Sequence, residues 1–142
     1  MLVSFAGLQF ELSEEWRDIT DDLPEGTPWT LAREDGIGAI QFSAATYKSG
    51  EHPALTAQDL REMLDGLFAA HNVVGFEPLD TAGCQMLCAG GKAVEEDALV
   101  AAWYLSNGTD VALITYVGAA ANPATAIELS DAAALVKTAQ FA

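Results

Sequence analysis

Between Ala98 and Val117 the chain reads ALVAAWYLSNGTDVALITYV, two almost continuously apolar arms meeting at Asn107-Gly108. Val100, Trp103, Leu105, Val111, Leu113, Ile114, Tyr116 and Val117 are residue types that fill pleated surfaces, and an Asn-Gly pair supplies the positive-φ positions of a tight turn. The stretch predicts a β-hairpin. Because apolar residues occupy nearly every position, both faces of that hairpin are expected to be covered, as in the centre of a sheet with helices or a second layer outside it. Alternation predicts two further hairpins. Leu2 to Phe5 and Leu8 to Leu12 flank Ala6-Gly7, with Phe10 and Leu12 set against Gln9 and Glu11. Trp29 to Arg33 and Ile37 to Tyr47 flank Glu34-Asp35-Gly36; there Ile40, Phe42 and Ala44 alternate with Gln41, Ser43 and Ala45, so one face is buried more deeply.

The period changes at Thr56. Leu60, Met63, Leu64, Leu67 and Phe68 recur at helical spacing and predict an amphipathic helix over about 56–71, its stripe laid across the sheet. Thr56 and Asp59 fit a capping box, His71 complements the negative end of the dipole, and Asn72 and Gly75 stop the helix. Gly66 is expected on the polar face or at a close helix-sheet contact. A second helix is predicted over about 124–138, with Leu129, Ala132, Ala133 and Val136 as a shallow stripe and either Asn122 or Thr125 with Glu128 as its cap. Thr81 to Gly91 reads as a strand that bends at Gly90-Gly91. Ser13 to Pro28, punctuated by Pro24, Gly26 and Pro28, reads as an acidic loop anchored by Trp16 and Ile19, and Lys48 to Pro53 as another loop.

A length of 142 residues predicts one domain, 1–142, and 51% hydrophobic against 19% charged residues excludes a disordered chain. The formal charge of -15 is more decisive, since it repels nucleic acid and anionic lipid and attracts cationic partners. Neither a nucleic-acid nor a membrane-surface role is expected. No basic leader and no apolar run of about twenty residues is present, so the expected location is the cytoplasm. Cys84 and Cys88 would stand about 13 Å apart in an extended segment, too far for a disulfide, and read as reduced thiols in a strand.

Catalytic patterns are missing. His52 and His71 belong to no metal-ligand spacing, Ser43, Ser106 and Ser130 lack a nucleophile elbow, and Gly36-Ile37-Gly38 reads as a turn. No enzyme activity, metal or cofactor is expected. The acids are the remaining candidates. Glu14, Glu15, Asp18, Asp21, Asp22 and Glu25, with Trp16 among them, and Glu95, Glu96 and Asp97 further on, read either as solvated loops or as a partner-binding face for a cationic protein.

The run FELSEEWRDIT, Phe10 to Thr20, resembles the F-x-L-P-x-x-W-x-D opening of the PsbP-like group, which includes DcrB-type bacterial domains; Ser13 stands where proline is commoner. The order of predicted elements resembles that group over nearly the whole chain. The resemblance implies an α+β fold, an antiparallel sheet with helices packed on both faces, and a non-enzymatic binding role. Some bacterial members hold hydrophobic segments of type VI secretion effectors, and small acidic proteins are common among toxin-neutralising immunity proteins. The charge favours an immunity protein that occludes a basic toxin surface. The alternative, a chaperone or adaptor for a secreted type VI effector, requires an exposed apolar groove beside the sheet, and the Leu and Met positions are assigned to the core.

Overall fold

The computed structural model describes residues 2–5, 7–34, 36–46, 55–73, 75–108 and 110–141. In chain order the elements are β1 (Leu2–Phe5), β2 (Leu8–Glu11), β3 (Trp16–Asp18), a 3-10 turn (Thr20–Asp22), β4 (Trp29–Arg33), β5 (Ala39–Thr46), α1 (Ala57–Ala70), β6 (Glu77–Pro78), β7 (Leu87–Glu95), β8 (Ala98–Ser106), β9 (Asp110–Ala119), α2 (Ala124–Thr138) and β10 (Gln140–Phe141). One sheet runs β3-β4-β5-β9-β8-β7-β6 and a smaller one β1-β2-β10; all their pairings are antiparallel. The predicted hairpin Ala98 to Val117 is β8-β9, joined from Ser106↔Val111 to Ala98↔Ala119 at the middle of the large sheet.

The pleat assigns the layers. Trp29, Leu31, Ile40, Phe42, Ala112, Ile114, Tyr116, Ala101, Trp103 and Leu105 fall on one face by register and form the main core with α2 and the small sheet. Aromatic rings join small sheet to large: Phe5 stacks on Trp29 and Phe10 on Phe42, each pair with centroids 4.9 Å apart. On the opposite face lies α1, whose Leu64 and Phe68 close over Ala102 with Leu67, Val73, Phe76, Ala93, Val100 and Tyr104 around them. The expected α+β sandwich, with helices on both faces of an antiparallel sheet, is the observed one.

Local chemistry explains the element ends. Asp59 N–H donates to Thr56 Oγ1 while Thr56 N–H donates to Asp59 Oδ2 at 2.8 Å, the reciprocal capping box, and His71 is the C-cap. Asn72 and Gly75 take φ of 61° and 76°, ending the helix where expected. For α2, Asn122 accepts from Ala124 N–H at 2.9 Å, whereas Thr125 donates to the Ala119 carbonyl and forms no box with Glu128.

Several expectations are corrected. The first hairpin lies in the small sheet and not the large one, with Leu8 and Phe10 buried in the core between them. The acidic loop contains β3, drawn alongside β4 by the burial of Trp16. The strand expected over Thr81 to Gly91 is β7, Leu87–Glu95, and Gly90 and Gly91 lie within it. They admit the Trp103 indole and the Phe76 ring, one on each side, where a Cβ would collide. Cys84 lies in a turn, its N–H donating to Thr81 O at 3.2 Å, so the extended separation assumed for Cys84 and Cys88 does not exist. Tyr47, the loop Lys48 to Pro53 with His52, and Asp35 of the second turn lie outside the described residues.

Candidate functional site: a half-open sheet face

The prediction that both hairpin faces are covered holds for β8 and fails for β9. Helix α1 rests on β7 and β8, and among the described residues no helix covers the same face of β9, β5 and β4 beside it. The result is a groove of about 550 Å³. Its floor is formed by Gln41, Ser43, Leu113, Thr115 and Val117, and its apolar wall by Leu67, Phe68, Val73 and Val100. Val117 is 44% exposed, although it occupies a central strand. Full burial of an exposed valine is worth about 1.5 to 3 kcal/mol, so covering the 44% of Val117 still exposed would gain a hydrophobic occupant on the order of 1 kcal/mol.

One end of the groove is acidic. Glu95 and Glu96 line it at the β7-β8 turn, and Glu95 Oε2 lies 3.8 Å from His71 Nδ1 at the C-terminus of α1. Glu96 takes φ of 54°, and Asp97, also exposed, accepts Ala120 N–H through its carbonyl at 2.8 Å. Three of the expected acids are thus together, and Glu95 and Glu96 border an apolar surface.

The other expected site residues lie around the β3 edge, with four strands between β3 and β7 in the sheet order. Trp16 is 3% exposed and its indole N–H donates to Asp131 Oδ2 at 3.2 Å. Glu15 pairs with Arg33 at 2.7 Å. Asp18 accepts from the Thr20 amide and hydroxyl at 2.9 and 2.6 Å and from the Trp29 indole at 2.7 Å. Desolvation opposes its charge, but the Thr20 and Trp29 donors outweigh it and hold the carboxyl below the usual aspartate range. Among the described residues, Glu14, Asp21, Asp22 and Glu25 are exposed and carry no ion-pair partner.

A different acid is the one most firmly engaged. Glu128 is 1% exposed and accepts Ile37 N–H at 3.1 Å, Gly38 N–H at 3.0 Å and the Tyr116 hydroxyl at 2.9 Å. A Cβ on Gly38 would meet the Val117 carbonyl and the Tyr116 hydroxyl, so glycine lets the loop close on this carboxylate. Burial, then the Glu128 carboxylate beside it, push the Tyr116 hydroxyl well above the ordinary tyrosine range. The signal was in the helical spacing: Thr125, Glu128, Ala132, Leu135 and Val136 share the buried face of α2. Among the described residues no group of three or more His, Cys, Asp or Glu side chains is placed to hold a metal ion, and no helix is long and apolar enough to cross a membrane.

The class defined by this architecture is an α+β sandwich with one face of its sheet half covered. Among solved structures the fold alone is shared with Mog1 at TM-score 0.59 and 11% identity over 99% of this chain and 95% of that one. It is also shared with the cyanobacterial PsbP of Synechocystis sp. PCC 6803 at TM-score 0.56 and 15% identity over 100% and 92%. A protein of Bacteroides thetaiotaomicron VPI-5482 matches at TM-score 0.62 and 11% identity over 96% of this chain, which spans only 46% of that protein. The fold is therefore the one common to PsbP and Mog1. No family model matches the sequence, and no curated protein matches it by sequence comparison.

Proposed function

We propose that this chain is a non-catalytic protein-binding domain that seats an apolar segment of a basic partner in the groove beside α1. The observation that carries the reading is Val117, 44% exposed on a central strand, in a groove walled by Leu67, Phe68, Val73 and Val100 and bordered by Glu95 and Glu96. The apolar residues supply affinity, and the acids favour a lysine or arginine next to the buried segment. This supports the chaperone or adaptor role, for a secreted effector such as those of type VI systems, over occlusion of a toxin. The immunity reading draws its support from a separate feature, Glu14, Asp21, Asp22 and Glu25, which are exposed and have no ion-pair partner among the described residues. Both readings place the protein in the cytoplasm.

A synthetic peptide of leucines and lysines serves as the probe. Val117→Arg should weaken its binding about tenfold or more, a loss of about 1.4 kcal/mol, while Ile127→Arg, at a more exposed apolar site on α2, should leave it unchanged. Equal effects of the two substitutions would refute the groove as the seat. Charge reversal at Glu14, Asp21, Asp22 and Glu25 that abolished binding, with Val117→Arg silent, would move the site to the β3 edge.

A further inference from the structure

Asn107-Gly108 is the only Asn-Gly pair of the sequence; Asn72 precedes Val73, and Asn122 precedes Pro123, which has no N–H. Besides signalling a turn, such a pair is reactive, because a backbone nitrogen unshielded by its own side chain can attack the Cγ of the preceding asparagine. It stands at the tip of the β8-β9 hairpin, beyond the closing pair Ser106↔Val111, and Asn107 is exposed. Gly108 takes φ of 102°, and a Cβ built there would meet nothing within 4 Å, so a ring and a water molecule have room. The contacts of the turn engage both reacting groups otherwise. Gly108 N–H, at the attacking nitrogen, donates to the Oγ of fully buried Ser106 at 2.9 Å. Asn107 Oδ1 accepts from Asp110 N–H at 2.8 Å while Nδ2 donates to Asp110 Oδ2 at 3.4 Å, which pins the side-chain amide through both of its ends.

We propose that Asn107 is a site of spontaneous succinimide formation, gated by opening of this turn and restrained by Ser106 and Asp110. When the turn opens, the Gly108 nitrogen gives its proton to hydroxide and bonds to Asn107 Cγ. The Cγ–Nδ2 bond breaks, and the nitrogen leaves as ammonia after taking a proton from water. A water molecule then opens the ring. Opening at Cγ leaves an ordinary aspartate at 107; opening at the main-chain carbonyl routes the backbone through Cγ and leaves a carboxylate on Cα. In net terms water is consumed and ammonia released, with no change of oxidation state. The second product lengthens the main chain by a methylene between residues 107 and 108. Gly108 O accepts the N–H of buried Leu55 at 3.1 Å, just ahead of the Thr56 cap, so the change reaches the entry of α1, the helix that walls the groove.

The test incubates native wild type, wild type unfolded in guanidinium chloride, and the Ser106→Ala and Asp110→Ala variants at mildly alkaline pH. Peptide mapping by mass spectrometry reads the replacement of NH₂ by OH at each asparagine. Unfolded wild type should be modified at Asn107 ahead of Asn72 and Asn122. The folded chain should be modified at the same residue at least about tenfold more slowly, since only its opened fraction reacts. Folded Ser106→Ala should react about three- to tenfold faster than folded wild type, as expected for loss of a restraining hydrogen bond, and near the wild-type rate once unfolded. Asp110→Ala should also react faster when folded, by less, because its contact is longer and exposed. The modified wild type should melt at a lower temperature than the unmodified. An unfolded chain left intact at Asn107 would overturn the site, equal rates in folded and unfolded wild type would overturn the gate, and folded variants no faster than wild type would remove the two restraints. The wild-type comparison decides site and gate without any variant, so a substitution that failed to fold would leave the proposal open to refutation.

Discussion

At Glu128 a single side chain joins α2 to the chain between β4 and β5. Two backbone amides and a phenol supply three donors to its two oxygens, and a carboxylate accepts all of them. Glutamine cannot, because its NH₂ would face an amide donor. Glu128→Gln should therefore lower stability by about 1 to 3 kcal/mol in urea unfolding, and a neutral result would discard the proposed acceptor role. Tyr116 yields a pH dependence. Its hydroxyl ionises less readily in the folded chain than in the unfolded one, where a tyrosine titrates near pH 10.0. The folded state thus keeps a proton that the unfolded state loses, and stability present below about pH 10 should fall as pH rises beyond it. Tyr116→Phe should flatten that alkaline slope, measured by urea midpoints from about pH 9 upward, at the cost of the hydrogen bond to Glu128.

Helix α1 was legible nearly residue by residue, since cap, stripe and stop are local signals. Two substitutions test that reading. Gly66 is exposed, and a Cβ added there would meet nothing within 4 Å, so Gly66→Ala should raise stability by about 1 kcal/mol. Thr56→Ala should lower it by about 1 kcal/mol through loss of the capping box, both read as shifts in thermal midpoint. What sequence could not disclose at this scale depended on distant partners. The backbone of β3 is set by Trp16 reaching Asp131, 115 residues away, and neither periodicity nor turn chemistry encodes that contact. Gly90 and Gly91 were read as a bend because glycine commonly marks one; their role here is set by the Trp103 and Phe76 rings. The groove was missed for a related reason. Apolar residues on both faces of β9 imply burial on average, but the width that α1 covers is a property of the assembled sheet.

Charge acts on the molecule as a whole. With a formal charge of -15, the protein should draw a basic peptide by long-range attraction while the groove retains it through apolar contact. Raising ionic strength from about 0.01 to 0.15 M shortens the screening length from about 30 to 8 Å, so stopped-flow association should slow markedly while dissociation changes little. An association rate indifferent to salt would remove electrostatic steering from the account. The acids suggested by composition divide into distinct populations in space: Glu95 and Glu96 beside an apolar surface, Glu15 and Asp18 engaged with the chain's own donors, and Glu14, Asp21, Asp22 and Glu25 without an ion-pair partner among the described residues. Counting carboxylates could not separate them. The large sheet ends in β3, three residues long, and β6, two residues long, so little uninterrupted main chain is offered at either margin. A visiting polypeptide has scant opportunity to extend the ladder, and must be told apart by the size and order of its side groups instead of by generic amide pairing.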